Sequence, residues 1–189
     1  QTCVFYWNYE ARTCDGTTGD LSEYQTGSTI RATWKPSDFT LLELTAAPEA
    51  RFHVYYAGWT HSPVPAESAV GIHHPEGDVK KITFENEALV SQRKFWRVPQ
   101  WSLGVTEPGS SGSGLWNQDH LIVGQLFGGT SACGNPPDQM WDKYGKFSAS
   151  WTGGTTKKQK LKKWLDPGNT GAVSVPGMDS TACPGAAAP

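Results

Sequence analysis

Apolar and polar residues alternate over short stretches along much of this chain, and turn-forming residues interrupt these stretches at close intervals. Such alternation is typical of half-buried β-strands, because successive side chains of a strand point to opposite faces. The pattern predicts strands at 3–9, 29–34, 38–44, 53–59, 68–73, 79–85, 94–98, 114–117, 121–127 and 144–149. Many short strands at this spacing indicate a barrel or a sandwich.

One segment, 155–165, has a helical pattern instead. Leu161, Trp164 and Leu165 share one face, lysines occupy the rest, and Pro167 follows as a stop signal. The lysines are explained better as the solvated face of a terminal helix than as a basic binding patch. Beyond residue 171 the pattern is lost, and the Pro-rich end is typical of a tail or linker.

Composition narrows the choice of class. With 189 residues, 37% hydrophobic and 18% charged, the chain is globular and forms one domain or a compact pair. A net charge of -2 gives no bulk attraction to nucleic acid or to a membrane surface. No apolar run approaches the roughly 20 residues that cross a bilayer. The opening QTCVFYW lacks the regions of a signal peptide, which favours an internal or processed start.

Four cysteines, Cys3, Cys14, Cys133 and Cys183, are widely spaced. They form no CxxC pair and no histidine lies at zinc-finger spacing, so we expect neither a metal nor a cofactor. Wide spacing suits disulfides and therefore an oxidising, extracellular compartment. Three pairings are possible, and buried free thiols are the alternative.

The densest chemical signal is EPGSSGSG at 107–114. A nucleophilic serine needs an exposed oxygen on a tight turn, with backbone N–H groups aimed at the developing oxyanion. Ser111 fits the nucleophile, and the N–H groups of Gly109 and Ser111 fit the oxyanion donors. A plain Gly/Ser hairpin loop is the alternative. The nucleophile elbow of α/β-hydrolases does not fit, because position 113 is serine.

Asp38 is the second candidate, since it heads the apolar segment 38–44. An aspartate in such a place can lie beneath an imidazole, fix its tautomer and stabilise its charged form. A turn or strand-end cap is the alternative role.

These segments together resemble chymotrypsin-type serine proteases in chain order, and more closely the bacterial lysyl endopeptidase family. The resemblance extends from about residue 4 to about residue 178. The segments that carry it are FYWNY at 5–9, 37–44, IHHP at 72–75, 104–113, GQL at 124–126, SWTGG at 150–154 and WLDP at 164–167.

The resemblance implies an all-β, chymotrypsin-like double antiparallel β-barrel, with an incomplete first barrel and a C-terminal helix. Residues 1–46 would be the remnant of the first barrel, 47–154 the second barrel, 155–167 the helix and 168–189 a tail. Ser111 would be the nucleophile, Asp38 the acid of the triad, and Gly109 and Ser111 the oxyanion donors.

The family also implies a pocket for a basic side chain. Asp142 matches the acid at its base, where a carboxylate would pair with a substrate lysine or arginine. From the residues alone Asp142 is a loop carboxylate, and Asp138 is an equal candidate. Gly128 and Gly129 match the edge that binds the substrate backbone. Phe127 would wall the pocket where the family has histidine, which leaves the choice between lysine and arginine open.

The chain departs from the family at the catalytic histidine, whose motif lies upstream of the segment that Val4–Tyr9 resembles. None of the five histidines precedes Asp38. The family has counterparts of His73 and His74 in addition to its catalytic histidine, so we expect a structural or pocket-wall role for these two residues. Some family disulfides join the absent part to positions like Cys14 and Cys133.

The resulting prediction is a secreted serine endopeptidase that cleaves after lysine or arginine through an acyl-enzyme. Its partners would be protein or peptide substrates and the N-terminal segment as a disulfide-linked chain, with no nucleic acid and no membrane. Residues 1–189 alone would be inactive or weakly active. The alternative is a protease-like binding or structural module without catalysis.

Overall fold

A computed structural model describes residues 3–180 and contains mostly short β-strands. The strands are β1 Val4–Tyr6, β2 Tyr24–Thr26, β3 Ser28–Trp34, β4 Phe39–Leu44, β5 Tyr55–Tyr56, β6 Trp59–Thr60, β7 Ala69–His73, β8 Lys81–Glu85, β9 Val90–Gln92, β10 Phe95–Val98, β11 Gly114–Asn117, β12 Ile122–Gly129, β13 Asp142–Lys146, β14 Ser174–Val175 and β15 Met178–Asp179. The helices are α1 Phe147–Thr152 and α2 Lys162–Leu165, with 3₁₀ turns at Lys35–Ser37, Ala50–Phe52, Pro75–Gly77, Pro137–Gln139 and Lys157–Gln159.

One curled sheet dominates the molecule. Its strand order is β8-β7-β11-β12-β13-β10-β9, and every pair along this path is antiparallel. β6 joins β12 in parallel and β14 in antiparallel. The arrangement confirms the predicted all-β, chymotrypsin-like fold with a short C-terminal helix.

Three two-stranded sheets complete the fold: β1 with β2, β3 with β4, and β5 with β15. The β3–β4 hairpin corresponds to the strands predicted at 29–34 and 38–44. The register of this hairpin shifts between Ile30 and Ala32, as at a β-bulge. The division into four domains at 46, 154 and 167 stays a prediction.

Two apolar cores hold these parts together. The first lies inside the large sheet and includes Trp96, Leu115 and Tyr144. The second joins the β3–β4 hairpin to the C-terminal helices through Ala32, Phe39, Phe147, Trp151 and Leu161. Burial of such large side chains stabilises a domain by roughly 1.5–3 kcal/mol each, so this second core fixes the hairpin against the large sheet.

The strand predicted at 144–149 is wrong in its second half. β13 ends at Lys146, and α1 begins at Phe147. Phe147, Ser150 and Trp151 are its buried residues, and their spacing of three and four places them on one helical face. Short apolar segments are ambiguous between strand and helix on pattern alone.

The continuous helix predicted at 155–165 is also wrong. The chain forms a 3₁₀ turn at Lys157–Gln159, closed by a capping box between Thr156 and Gln159, and then extends at Lys160. Leu161 donates its N–H to the Ser150 carbonyl at 3.0 Å. Docking of Leu161 into the second core therefore overrides the helical pattern.

Two other predicted strands are shorter than expected. Residues 53–59 are divided between β5 and β6. β5 begins only after His53, which is left-handed with φ 47°, and β6 begins after Gly58, where a Cβ would collide with the Gly177 nitrogen. The first strand ends at Tyr6, and Asn8 has a φ of 52°.

Cys3, Cys14 and Cys133 are unbridged in the part of the chain that the structure describes, and Cys183 lies outside it. The expected disulfides are therefore not seen among residues 3–180. Within the same range no helix has the length and apolar character needed to span a bilayer.

Candidate active site

The loop before β11 forms a tight turn that is docked on β12. Gly109 and Gly112 have φ values of 96° and 85°, a region that favours glycine. Gly112 donates its N–H to the Leu126 carbonyl, and Leu126 donates back to the Ser113 carbonyl, both at 2.8 Å. These two bonds distinguish the loop from a free solvent hairpin.

Ser111 is exposed on this turn, whereas Ser110 beside it is only 1% exposed. Ser110 donates its N–H to the Glu107 carbonyl at 3.0 Å, and Ser113 donates to the Ser110 carbonyl at 3.1 Å. The N–H groups of Gly109 and Ser111 have no acceptor among residues 3–180. An oxyanion site needs such a pair of free donors beside an exposed hydroxyl.

Asp38 follows the 3₁₀ turn Lys35–Ser37 and is itself left-handed, with φ 55°. Its N–H donates to the Lys35 carbonyl at 3.1 Å. The carboxylate is exposed, and no hydrogen bond to it comes from the described residues. The backbone is therefore fixed while the carboxylate remains available.

Buried polar contacts hold the segment before Asp38. Gln125 of β12 donates its side-chain N–H to the Ser37 carbonyl at 2.7 Å and to the Asp38 carbonyl at 3.4 Å. The Ser37 hydroxyl also lies 2.9 Å from that of Ser150. A Cβ at Gly145 would collide with the Ser37 carbonyl, so glycine permits this close crossing.

β12 thus contacts the segments of both predicted catalytic residues at two successive positions. Gln125 holds the Asp38 segment, and the next residue, Leu126, holds the Ser111 turn. Their catalytic roles remain predictions.

Asp142 begins β13 and is 1% exposed. Its Oδ2 accepts from Trp101 Nε1 at 2.6 Å and from the Thr106 hydroxyl at 2.7 Å. Its Oδ1 is buried and finds no donor among the described residues. Burial raises the pKa of Asp142, and the two hydrogen bonds oppose that shift. Asp138, the alternative candidate, is exposed in the 3₁₀ turn Pro137–Gln139.

The end of β12 lies beside this carboxylate. Gly129 pairs with Asp142 across the strands, and a Cβ at Gly129 would collide with Oδ1 of Asp142. Gly128, with φ 140°, has open space where a Cβ would stand. Phe127 is 53% exposed, and its ring meets that of Phe95 edge-on at 5.4 Å. Gly129 therefore borders Asp142 directly, and Gly128 and Phe127 are the two residues before it in β12.

A contact behind the nucleophile turn joins two residues that no sequence motif connects. His73 Nδ1 lies 2.8 Å from the Ser110 hydroxyl oxygen, which also accepts the Glu107 N–H at 3.3 Å. His73 Nε2 is buried without a partner in the described part of the chain. Desolvation lowers the pKa of His73, with a smaller contribution from His74. The inward position of His73 in β7, in step with Ala69 and Gly71, was the available signal.

One placement of the hydrogen atoms gives hydrogen-bond partners to most polar atoms of the buried pair His73 and Ser110. A Ser110 hydroxyl that donates to His73 Nδ1 keeps its oxygen free to accept from Glu107, and only the His73 Nε2–H is then unpaired. The reverse pattern leaves both the hydroxyl hydrogen and Nε2 unpaired. The neutral imidazole, with its proton on Nε2, is therefore the favoured form.

The fold and the docked serine turn define a chymotrypsin-like protein. A family model described as the C-terminal domain of lysyl endopeptidase matches residues 1–145. The chain is also 34% identical over 161 residues to a lysyl endopeptidase from Pseudomonas aeruginosa, an alignment that covers 77% of this chain and 34% of the relative. The chain belongs to the lysyl endopeptidase family, and it spans about a third of the length of that relative.

Proposed function

We propose that this chain carries the nucleophile, the triad acid and the specificity pocket of a secreted serine endopeptidase. The observation that carries the proposal is the meeting of three separate segments on β12. Gln125 holds the Asp38 segment, Leu126 holds the Ser111 turn, and Gly129 faces Asp142. Family membership supports a protease activity for the whole protein.

In the proposed reaction a histidine takes the Ser111 hydroxyl proton as the oxygen attacks a peptide carbonyl. Asp38 orients that imidazole and stabilises its charged form. The free N–H groups of Gly109 and Ser111 bind the oxyanion. The histidine then protonates the leaving amine, and water cleaves the acyl-enzyme.

The base is proposed to lie outside residues 1–189, in the segment that family resemblance places upstream. Residues 1–189 alone would then show only residual catalysis, roughly 10³–10⁴-fold over water. A disulfide through Cys14 or Cys133 would hold that segment, in keeping with an extracellular site of action.

Asp142 is the proposed determinant of specificity for lysine or arginine. Its Oδ1 is buried without a donor, so a substrate cation would supply the missing partner through a charge-assisted hydrogen bond. The substrate backbone would pair with Gly128 and Gly129 as an added strand.

Labelling with a serine-reactive fluorophosphonate tests the proposal on the complete gene product. We expect one adduct that is lost in Ser111→Ala. Ser113→Ala is the matched control, because the Ser113 hydroxyl is buried and makes no hydrogen bond in the described part. Absence of an adduct in the unmodified protein, or its persistence in Ser111→Ala, would rule out Ser111 as nucleophile.

A second candidate function is a non-catalytic, protease-like binding module. It is favoured by the histidines of the described residues, none of which hydrogen-bonds Ser111 or Asp38. This candidate predicts that the complete gene product binds lysyl peptides but forms no fluorophosphonate adduct and releases no cleavage product.

A further inference from the structure

A pocket of about 370 Å³ lies beside the proposed substrate-binding edge and is distinct from the Asp142 site. We call it the basic pocket. It is lined by Pro36, Gln92, Arg93, Lys94, Phe95 and Lys143. Cations from two neighbouring segments, the β9–β10 turn and β13, therefore converge on one cavity in a chain whose net charge is -2.

The cations of the basic pocket have no acidic partners. Ion pairs within residues 3–180 involve Arg31, Arg51, Lys80 and Lys81, and none involves Arg93, Lys94 or Lys143. Clusters of like charge destabilise one another unless a counter-charge is bound. The pocket is thus electrostatically suited to an anionic group.

Aromatic rings hold two of these cations in place. The Lys94 ammonium lies 4.4 Å from the ring centre of Trp34, and that of Lys143 lies 5.4 Å from the ring centre of Trp141. Such cation–π contacts restrict a flexible side chain without neutralising its charge. The two ammonium groups therefore keep their positive charge near the basic pocket.

The basic pocket adjoins the path of the proposed substrate. Phe95 contacts Phe127, Lys143 pairs with Gly128 across the strands, and Pro36 lies two residues before Asp38. A substrate strand alternates its side chains between two faces. With its basic residue directed to Asp142, neighbouring residues on the amino-terminal side would face Phe127 and the basic pocket.

We propose that the basic pocket binds the carboxylate of a substrate Asp or Glu that lies two to four residues before the cleaved bond. This inference rests on the proposed function and adds a second determinant to it. Arg93 and Lys143 supply the charge-assisted donors, and the Phe95 ring packs against the methylene groups of the acidic side chain.

Cleavage of matched peptides by the complete gene product tests this proposal. Both peptides of a pair have lysine immediately before the cleaved bond. They differ at one of the three positions before that lysine, where one peptide has Glu and the other has Gln. We expect the Glu peptide to have a kcat/KM roughly twofold to fivefold higher at one of these positions, as for partly exposed charge pairs. Raising the salt from about 0.05 M to about 0.5 M should reduce that ratio, because salt screens exposed charges.

The ratio of the two peptides is also the readout for variants. The double variant Arg93→Gln with Lys143→Gln should bring it close to one. A matched double variant, Lys158→Gln with Lys163→Gln, removes the same charge from the C-terminal segment and should leave the ratio unchanged.

The outcomes separate the two proposals. Cleavage of neither peptide would contradict the proposed protease function. Equal cleavage of both peptides at every position, or a Glu preference that survives Arg93→Gln with Lys143→Gln, would overturn the role of the basic pocket alone.

Discussion

The two carboxylates of the proposed site lie in opposite environments. Asp142 is buried in the large sheet, and its oxygens are unequal, since Oδ2 has two donors and Oδ1 has none among the described residues. Asp38 is exposed, and only its backbone is fixed. The large sheet thus holds a buried carboxylate with one unpaired oxygen, whereas the hairpin holds an exposed carboxylate on a fixed backbone.

The two carboxylates also differ in their effect on the free energy of folding. Burial of a carboxylate without a counter-ion destabilises the fold, and a bound cation relieves that cost. No such penalty applies to an exposed carboxylate such as Asp38. Replacement of the Asp142 carboxylate should therefore change stability, whereas replacement of the Asp38 carboxylate should change it little.

Asp142→Asn should have a large effect on the cleavage of lysyl peptides. Loss of the charge that meets a buried substrate cation should lower kcat/KM for lysyl peptides about 100-fold or more. Asp138→Asn is the matched control, because Asp138 is exposed, and it should behave as the unmodified protein. A loss of less than about threefold in Asp142→Asn would place the specificity determinant elsewhere.

The same variant should raise stability at neutral pH. The pKa of the Asp142 carboxyl is raised in the folded protein. The stability that this carboxyl contributes when protonated is therefore fully present below its ordinary pKa of 3.8, and it is lost as the pH rises through the folded pKa. Asparagine carries no charge and keeps an acceptor for Trp101 and Thr106. Urea unfolding at pH 7 measures the difference, and a lower midpoint for Asp142→Asn would contradict the prediction.

Gly129→Ala should lower stability through a steric clash. Its Cβ would meet both the Trp141 carbonyl and Oδ1 of Asp142, and such overpacking costs about 1–3 kcal/mol. The control is Gly168→Ala, where the nearest atom to a new Cβ is 3.8 Å away. Equal urea midpoints for the two variants would show that β12 and β13 separate easily at this position.

The sequence predicts the positions of the strands better than it predicts the segments whose structure depends on tertiary contacts. Alternation placed β3, β4, β7, β10 and β11 within a residue or two, because each is a two-faced strand with one face buried. The strand predicted over α1 and the helix predicted at 155–165 were wrong, because docking of Trp151 and Leu161 into the second core decides the local structure.

The site was predictable only in part, for a similar reason. Ser111, Asp38 and Asp142 stand in recognisable segments, so resemblance suggested them. The contacts that position them join distant residues, such as His73 with Ser110, 37 positions apart, and Ser37 with Gln125, 88 apart. No local pattern contains such pairs, and the unpaired cations of the basic pocket likewise depend on the tertiary structure.

The buried imidazole behind the nucleophile turn should make stability depend on pH. The pKa of His73 is lowered from its ordinary value of 6.5, so the unfolded chain takes up the proton first as the pH falls. The stability that the neutral His73 contributes is present above about pH 6.5, and it is lost as the pH falls through the pKa of His73 in the folded protein. Urea unfolding between about pH 8 and about pH 5 measures this slope.

Replacement of the histidine isolates its share of that slope. His73→Gln keeps a hydrogen-bonding side chain and should flatten the dependence over this range. His120→Asn is the control, because His120 is exposed with a φ of 59° that asparagine tolerates. A slope that is unchanged in His73→Gln would assign the titration to other groups.

The smallest effect is expected from the surface ion pair between Lys80 and Glu10, which joins the N-terminal region to the large sheet at 2.6 Å. Both side chains are partly exposed, so water and salt screen the attraction and the two side chains lose rotamer freedom in forming it. Glu10→Gln should therefore change the free energy of unfolding by less than about 1 kcal/mol. Phe39→Ala, in the second core, should cost about 3–5 kcal/mol in the same assay. A larger loss for Glu10→Gln than for Phe39→Ala would mean that this surface ion pair contributes more to the stability of the fold than Phe39 of the second core does.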